Sequence, residues 1–298
     1  MISVIIPARN EQFLEPTIKD LLAKAEGDIE VIAVLDGYWP NPAMQIDDKR
    51  LKIIHFGQSR GMRPCINAGV AIAQGEFIFK LDGHCMVDQG FDVKLAESCE
   101  KKYVVVPRRK RLDAENWCLQ ESGKPDIDYM YLSYPDDPKD FGGKGLNGKV
   151  WDERNKDQKL KGIEIDDLMS AQGSGWFMRK DYFYELELMD DGNYGTFWNE
   201  FQEIGLKCWL SGGRVIVNKR TWYAHLHKGK KYGRGYRLDE RELIKGATFT
   251  KKWFIPGKAW KKQTLPLSWL IQHFWPVPTW DQEKLDQLIQ SEKDAAQK

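Results

Sequence analysis

Apolar residues recur along the chain in two alternating periods. Ile2–Ile6 is a continuous apolar run stopped at Pro7, and Glu15–Lys24 then carries its apolar positions at helical spacing. Ile29–Leu35 and Leu51–Phe56 again read as strands, Met62–Ala73 as a helix with small residues, and Glu76–Leu81 as a fourth strand entered from a Gly turn. Phe91–Lys101 is helical in pattern, and Val104-Val105-Val106 before Pro107 predicts a further strand. Strands alternating with helices make βαβ units. The pattern therefore predicts an α/β fold, a mostly parallel central sheet with helices on both faces.

The rhythm breaks at Pro125–Lys161, where Gly, Pro, Asp and Lys with isolated aromatics predict a long loop region shaping an acceptor site. Regular structure is expected to resume near Ser170 and run through Gly213. Glu240–Lys252 predicts a helix, Pro266–Trp280 is rich in Trp and Pro, and Gln282–Gln290 reads as a short amphipathic helix. No internal repeat or low-complexity tract intervenes. The expected division is a domain of residues 1–235, with a nucleotide-binding half (1–102) and an acceptor or catalytic half (103–235), followed by a basic, Trp-rich C-terminal extension (236–298).

With 298 residues, 42% hydrophobic and 30% charged, the chain has the size and make-up of an ordinary soluble globular protein. No signal-peptide pattern opens it, and no run of about 18 apolar residues predicts a membrane span. The five cysteines are scattered, with no Cys-x-x-Cys pair, which argues against zinc and for reduced thiols. A cytoplasmic location is expected, in a bacterium or, for a viral protein, in its host.

The net charge of +1 conceals an asymmetry, because residues 219–262 hold fourteen Lys and Arg against three acids, +11, leaving −10 for the rest. Such a segment suits a polyanionic partner such as DNA. The interleaved Trp222, Tyr223, Tyr232, Tyr236, Phe249, Trp253 and Trp260 would either stack on bases or fill the core beneath a solvated basic surface.

Polar groups gather where the strands end, the position at which open α/β sheets bind ligands. The first strand delivers Pro7-Ala8-Arg9-Asn10-Glu11, the second Asp36-Gly37, the fourth Asp82-Gly83-His84. A carboxylate and an imidazole two residues apart suit Mn²⁺ or Mg²⁺ holding phosphate oxygens. Together the loops predict a nucleotide site, with Asp36 on base or ribose, Arg9 nearby, and metal plus diphosphate at Asp82. Gly61-Met62-Arg63 opens a helix, where backbone N–H groups and Arg63 suit a diphosphate. The absence of G-x-G-x-x-G and Walker sequences argues against a dinucleotide site and a P-loop.

Ser3-Val4-Ile5-Ile6-Pro7-Ala8-Arg9-Asn10-Glu11, Val34-Leu35-Asp36-Gly37 and the run from Gly75 through Asp82-Gly83-His84-Cys85 resemble family-2-type glycosyltransferases of GT-A fold. Asp-x-His-Cys, in place of the commoner Asp-x-Asp, is similar to the polypeptide N-acetylgalactosaminyltransferases. Gly173–Phe183, and Tyr194–Glu203 running on to Trp209-Leu210-Ser211-Gly212-Gly213, agree with that closer resemblance, which spans residues 2–235 in consistent order. It implies a nucleotide-sugar donor, expected to be a UDP-sugar, and Mn²⁺ on Asp82, His84 and a third His. Tyr223-Ala224-His225-Leu226-His227-Lys228 offers His225 for that role, with His227 second. The resemblance further implies Lys228 at the diphosphate, Arg63 near the nucleotide, Gly83 within the metal motif, and Gly173 and Ser174 facing the donor sugar.

Glu200 would orient donor or acceptor, and Trp198 would wall the sugar site or sit in the core. Many inverting relatives carry Glu-Asp here, the Asp serving as base; Glu200-Phe201 has none, which points to retention. Glu203 reads as structural, and the Gly-rich Lys228–Tyr236 as a mobile lid or a plain surface loop. The polypeptide transferases carry a membrane anchor, disulfides and a lectin domain, and none of these is expected from this sequence. The expected acceptor is therefore a hydroxyl on nucleic acid, such as a modified base, with polysaccharide, lipid-linked sugar or protein as alternatives. Intact Asp36, Asp82, His84, His225 and Glu200 argue against a non-catalytic nucleic-acid-binding protein on a transferase scaffold. The missing Gly-rich phosphate loop argues against a nucleotidyltransferase.

Overall fold

The computed structural model describes residues 1–121, 123–135 and 145–297. Ile2–Ala8 (β1), Ile29–Asp36 (β2), Leu51–Phe56 (β3) and Phe77–Leu81 (β4) are joined through helices Leu14–Lys24 (α1) and Met62–Ile72 (α2), and every pairing among these strands is parallel. All eight residues of β2 are buried, as a strand covered on both faces requires. Pro7 does not stop β1, which continues to Ala8 with Pro7 opposite Val34. The Ile2 N–H points to β2, bonding Asp28 O at 2.9 Å, so by alternation the Pro7 nitrogen faces the β4 side. Pairing there has ended by Ile5, and the missing donor costs no ladder bond.

Beyond β4 the sheet becomes mixed. Its further strands are Cys85–Val87 (β5), Tyr103–Asp113 (β6), Cys118–Leu119 (β7), Ile165–Asp167, Gly175–Arg179 and Arg214–His225, with Met130–Leu132 (β8) and Gly148–Val150 (β9) forming a separate pair. The last three sheet strands are β10, β11 and β12 in that order. The main path runs β3-β2-β1-β4-β11-β6-β12-β10, with β11 antiparallel to both neighbours and β6 parallel to β12. The mostly parallel sheet read from the sequence thus holds for its first half, and β11 turns the second half mixed.

Helices cover both faces. Ile5 joins the cluster containing Cys65, Ile66 and Val70 of α2, while Val4 and Ile6 join the opposite one with Leu14, Ile18 and Leu21 of α1. Phe91–Ser98 (α3) lies on the latter side, and Glu200–Leu210, which carries the predicted catalytic residue, packs on the former.

The stretch 125–161, expected as loop, holds β8, β9 and two short helices, Asp152–Lys156 (α4) and Gln158–Lys161 (α5); its residues 136–144 lie outside the described residues. Buried Asn155 pins it, its Oδ1 accepting from the N–H groups of Asp128 (2.8 Å) and Tyr129 (2.9 Å). Side-chain closure of this kind leaves no period in the sequence to read. Further on come Lys180–Glu185 (α6), Asp191–Tyr194 (α7), Glu200–Leu210 (α8), Gly229–Tyr232 (α9), Glu240–Phe249 (α10), Leu267–His273 (α11) and Gln282–Ala296 (α12). Trp253, Trp260, Leu270, Phe274, Trp280 and Leu288 share one apolar cluster with Val104, Val217 and the α8 core residues, so the segment 236–298 packs into that core. No helix among the described residues is long and apolar enough to cross a membrane.

Candidate active site

The sheet brings the metal-type residues together by register. Asp82 ends β4, its N–H held by Ser174 O at 2.9 Å, and β5 follows at once and pairs with β12, setting His225 opposite Cys85. The Leu226 N–H bonds His84 O at 3.1 Å and clamps the same turn. One ligand atom from each of Asp82, His84 and His225 lies within 4.8 Å of the others. His225 Nε2 is 3.3 Å from Asp82 Oδ2, yet neither ring nitrogen of this buried histidine has a hydrogen-bond partner. Burial pushes His225 down to about 3, so its imidazole is neutral near pH 7, the form that ligates metals. Burial opposes the Asp82 charge, but Lys80 above all holds that carboxyl far below the usual range.

Glu11 fixes the next layer. Its Oε2 lies 2.9 Å from His84 Nδ1 and 2.6 Å from Lys228 Nζ. A carboxylate on one nitrogen of a ligating histidine orients the other toward the metal position. Gly83 makes room for this, since a Cβ there would meet Glu11 Cγ at 2.9 Å. His227, the second-ranked ligand, lines the cleft but stands outside the triad.

Lys80, which sequence reading passed over, organises the catalytic side. Fully buried, its Nζ lies 2.6 Å from Asp82 Oδ1, 2.6 Å from Gly173 O and 3.3 Å from Glu200 Oε1. Trp176 Nε1 donates to Glu200 Oε1 at 2.7 Å, and burial lifts the Glu200 carboxyl above its ordinary range against the attraction of Lys80. A Cβ on Gly173 would collide with the Glu200 carboxylate. Ser174 Oγ and Tyr223 Oη are 2.8 Å apart beside this group. The available signal was Lys80 itself, a lone cation in an otherwise apolar strand, which must find counter-charges there.

Arg63, expected at the nucleotide, has no exposed surface and lies in the layer between α2 and α8, outside the cleft lining. Its guanidinium pairs with Glu203, donates to Trp198 O at 2.9 Å and lies 4.9 Å over the Tyr194 ring. Glu203 also binds Lys207 Nζ at 2.7 Å, so it is structural, as its spacing indicated. Asp36, expected on base or ribose, faces the cleft but accepts from Ser59 Oγ (2.7 Å), Arg60 N (2.6 Å) and Gly61 N (3.0 Å), which shapes the 59–61 turn.

The remaining predicted residues share one cleft of about 1460 Å³: Pro7, Arg9, Gly83, Gly173, Ser174, Trp198, Glu200 and Lys228 line it with the metal triad, Glu11 and Asp36. Its rim includes the Gly-rich segment, where Asn10 Nδ2 donates to Gly235 O at 2.7 Å and Arg9 lies 4.7 Å over the Tyr236 ring. Four of the eight aromatics in 219–262 do not present stacking faces. Tyr223, Phe249, Trp253 and Trp260 are buried, Trp253 Nε1 bonding Tyr194 Oη at 2.9 Å and Trp260 Nε1 bonding Glu187 Oε2 at 2.9 Å.

A strand-end cleft with Asp-x-His meeting a histidine from a later strand, on this mixed sheet, defines a GT-A fold glycosyltransferase. Residues 3–187 match the family model of Glycosyl transferase family 2, and the chain belongs to that family. It is similar to the uncharacterized glycosyltransferase EpsJ of Bacillus subtilis strain 168, 32% identical over 108 residues, 34% of this chain and 31% of that protein. Against the undecaprenyl-phosphate 4-deoxy-4-formamido-L-arabinose transferase of Proteus mirabilis it is 30% identical over 134 residues, 41% of each chain. The matches thus span well under half the length of these curated relatives. Among solved structures, GalNAc-T7 with UDP, GalNAc and Mn²⁺ superposes with a TM-score of 0.65 at 15% identity, over 97% of this chain and 54% of that one. Staphylococcus aureus TarS 1–349 in complex with UDP-GlcNAc gives 0.51 at 14% identity, over 97% and 70%. These likenesses bear on the fold.

Proposed function

We propose that this enzyme moves a sugar from a UDP-sugar to an acceptor hydroxyl, with a divalent cation, Mn²⁺ or Mg²⁺, held by Asp82, His84 and His225. The observation that carries this reading is His225: a neutral, buried imidazole with two unpartnered nitrogens beside a carboxylate and a second imidazole fits a metal ligand. UDP and Mn²⁺ in the GalNAc-T7 structure, and UDP-GlcNAc in that of TarS, support the donor class.

When bound there, the cation supplies Lewis-acid stabilisation of the charge that develops on the departing diphosphate. Lys228, paired with Glu11 in the cleft wall, is the cation available to meet that charge. Glu11 keeps His84 oriented, and Lys80 lies between the Asp82 and Glu200 carboxylates and favours their charged forms. Glu200, beside Gly173 and Ser174, is placed to orient the sugar. Phe201 is apolar and buried, so no base stands where inverting relatives carry Asp; this supports retention.

For the acceptor, exposed Arg220, Arg237, Arg241, Lys252, Lys258 and Lys261 support a polyanion such as DNA. With the four buried aromatics removed from consideration, contact would run through backbone phosphates rather than base stacking. The test is donor hydrolysis across UDP-, GDP- and TDP-sugars with and without Mn²⁺, alongside duplex DNA binding at low salt. Turnover of a UDP-sugar that needs the metal supports the donor reading, and metal-independent turnover overturns it. Absence of duplex affinity at low salt overturns the DNA acceptor.

A further inference from the structure

Arg109 is a cation of the cleft buried without a counter-charge. It lies on β6, is 5% exposed and lines the cavity. Among the described residues its guanidinium has no hydrogen-bond acceptor, carboxylate or aromatic face. The other cations at the cleft are paired or exposed. Lys80, beneath it, has Asp82 and Glu200, Lys228 has Glu11, Arg9, Arg60 and Arg234 lie over Tyr236, Phe56 and Phe197, and Arg237 is exposed to solvent.

The surroundings do not neutralise it. Arg111, two residues on, adds positive charge, and no carboxylate is among the charges that act on Arg109. Lysine or histidine could relieve such a position by losing a proton; arginine cannot. A buried guanidinium facing open cleft space therefore fits a ligand that brings the missing negative charge.

Its place separates that charge from the donor diphosphate. β12 runs between β5, which follows Asp82 and His84, and β6, with Tyr223 opposite Arg109 and His225 opposite Arg111. Arg109 is thus across the Tyr223–His225 row from Asp82 and His84. Its backbone bridges Ile127, at the start of the segment that supplies Met130, Asn147 and Gly148 to the cleft wall.

We propose that Arg109 binds a second oxyanion, a phosphate or carboxylate of a substrate, distinct from the diphosphate at the Asp82–His84–His225 site. This rests on the transferase reading of the cleft. The oxyanion belongs either to the acceptor or to a carboxylate on the donor sugar, and a fork of N–H donors suits both.

The experiment titrates inorganic phosphate into the full chain with and without saturating UDP–Mn²⁺, then compares UDP-glucose with UDP-glucuronate, for wild type, Arg109→Gln, Arg109→Met and Arg109→Lys. Expected is either phosphate binding in the presence of UDP–Mn²⁺ or a preference for UDP-glucuronate, weakened at least about tenfold by Gln and Met and partly kept by Lys. The first result assigns the oxyanion to the acceptor, the second to the donor sugar. Thermal melts in buffer show whether Gln and Met fold; removal of an unpaired buried charge should not lower their midpoint. If phosphate and UDP-glucuronate binding are the same in all four proteins, or if the variants lose UDP–Mn²⁺ itself, the second site is overturned. Failure of wild type to bind UDP–Mn²⁺ would instead overturn the transferase reading, while the phosphate titration without nucleotide still decides for or against Arg109.

Discussion

The Lys80 ammonium lies 2.6 Å from Asp82 Oδ1, two residues along the same chain, and this contact couples the metal-type ligand to the Glu200 carboxylate, because the same nitrogen is 3.3 Å from Glu200 Oε1. Burial works against the Lys80 charge, but the two carboxylates outweigh it and raise its pKa. Lys80→Met would leave Asp82 and Glu200 facing each other without a cation. Breaking a buried pair in this way costs about 3–5 kcal/mol, so chemical denaturation should show a loss of that size, with transfer falling by more than about tenfold. Unchanged stability and turnover would remove Lys80 from the site.

Asp82, His84 and His225 are predicted to fail differently from their support. Asp82→Ala or His225→Ala should abolish Mn²⁺-dependent UDP binding and leave the fold intact. Glu11→Gln keeps the triad but removes the carboxylate that orients His84, so Mn²⁺ affinity should fall by about 10–100-fold without vanishing. Calorimetric titration of Mn²⁺ with UDP separates the cases. Equal affinity for Glu11→Gln and wild type would show that His84 needs no partner.

Arg63→Met tests where that side chain acts. Paired with buried Glu203, it should cost about 3–5 kcal/mol of stability while UDP affinity of the folded protein stays within about twofold. A large loss of UDP affinity at wild-type stability would return Arg63 to the diphosphate.

The contrast between Arg63 and His225 shows what the sequence could reveal. Apolar runs specify β1 to β4, and polar residues at their ends specify the cleft, because burial and strand ends both leave local patterns. His225 was legible only through its resemblance, since its place depends on β12 pairing with β5, a register that no local period encodes. Arg63 shares the inward face of α2 with Ile66 and Val70, a helical spacing that was readable; its place at the helix start and its resemblance pointed to the nucleotide instead. Asn155 was illegible for another reason: it satisfies the backbone of Asp128 and Tyr129, well back along the chain, so composition marked its stretch as loop. Trp253 and Trp260 left stacking and core both open, because their partners Tyr194 and Glu187 lie in segments that no local pattern links to them.

Glu292 gives the pH prediction, away from the cleft. It lies on α12, where Oε1 accepts from Ser268 N at 3.0 Å and Oε2 meets Ser268 Oγ, locking α12 onto α11. Burial raises its pKa above the ordinary value, and the Ser268 bonds only partly offset this. A raised carboxyl pKa means that the folded state binds more protons than the unfolded one between the two pKa values. Stability contributed by the protonated form is therefore complete below the unfolded pKa and lost as pH rises through the folded value. Glu292→Gln is neutral throughout; its amide oxygen can accept from Ser268 N, and its NH₂ can donate to Ser268 Oγ. Paired melts should show little difference at about pH 4 and a higher midpoint for Glu292→Gln at about pH 7. A constant difference across that interval would mean that burial does not hold the carboxyl above its ordinary value, and that α12 docks through Leu285 and Leu288 alone.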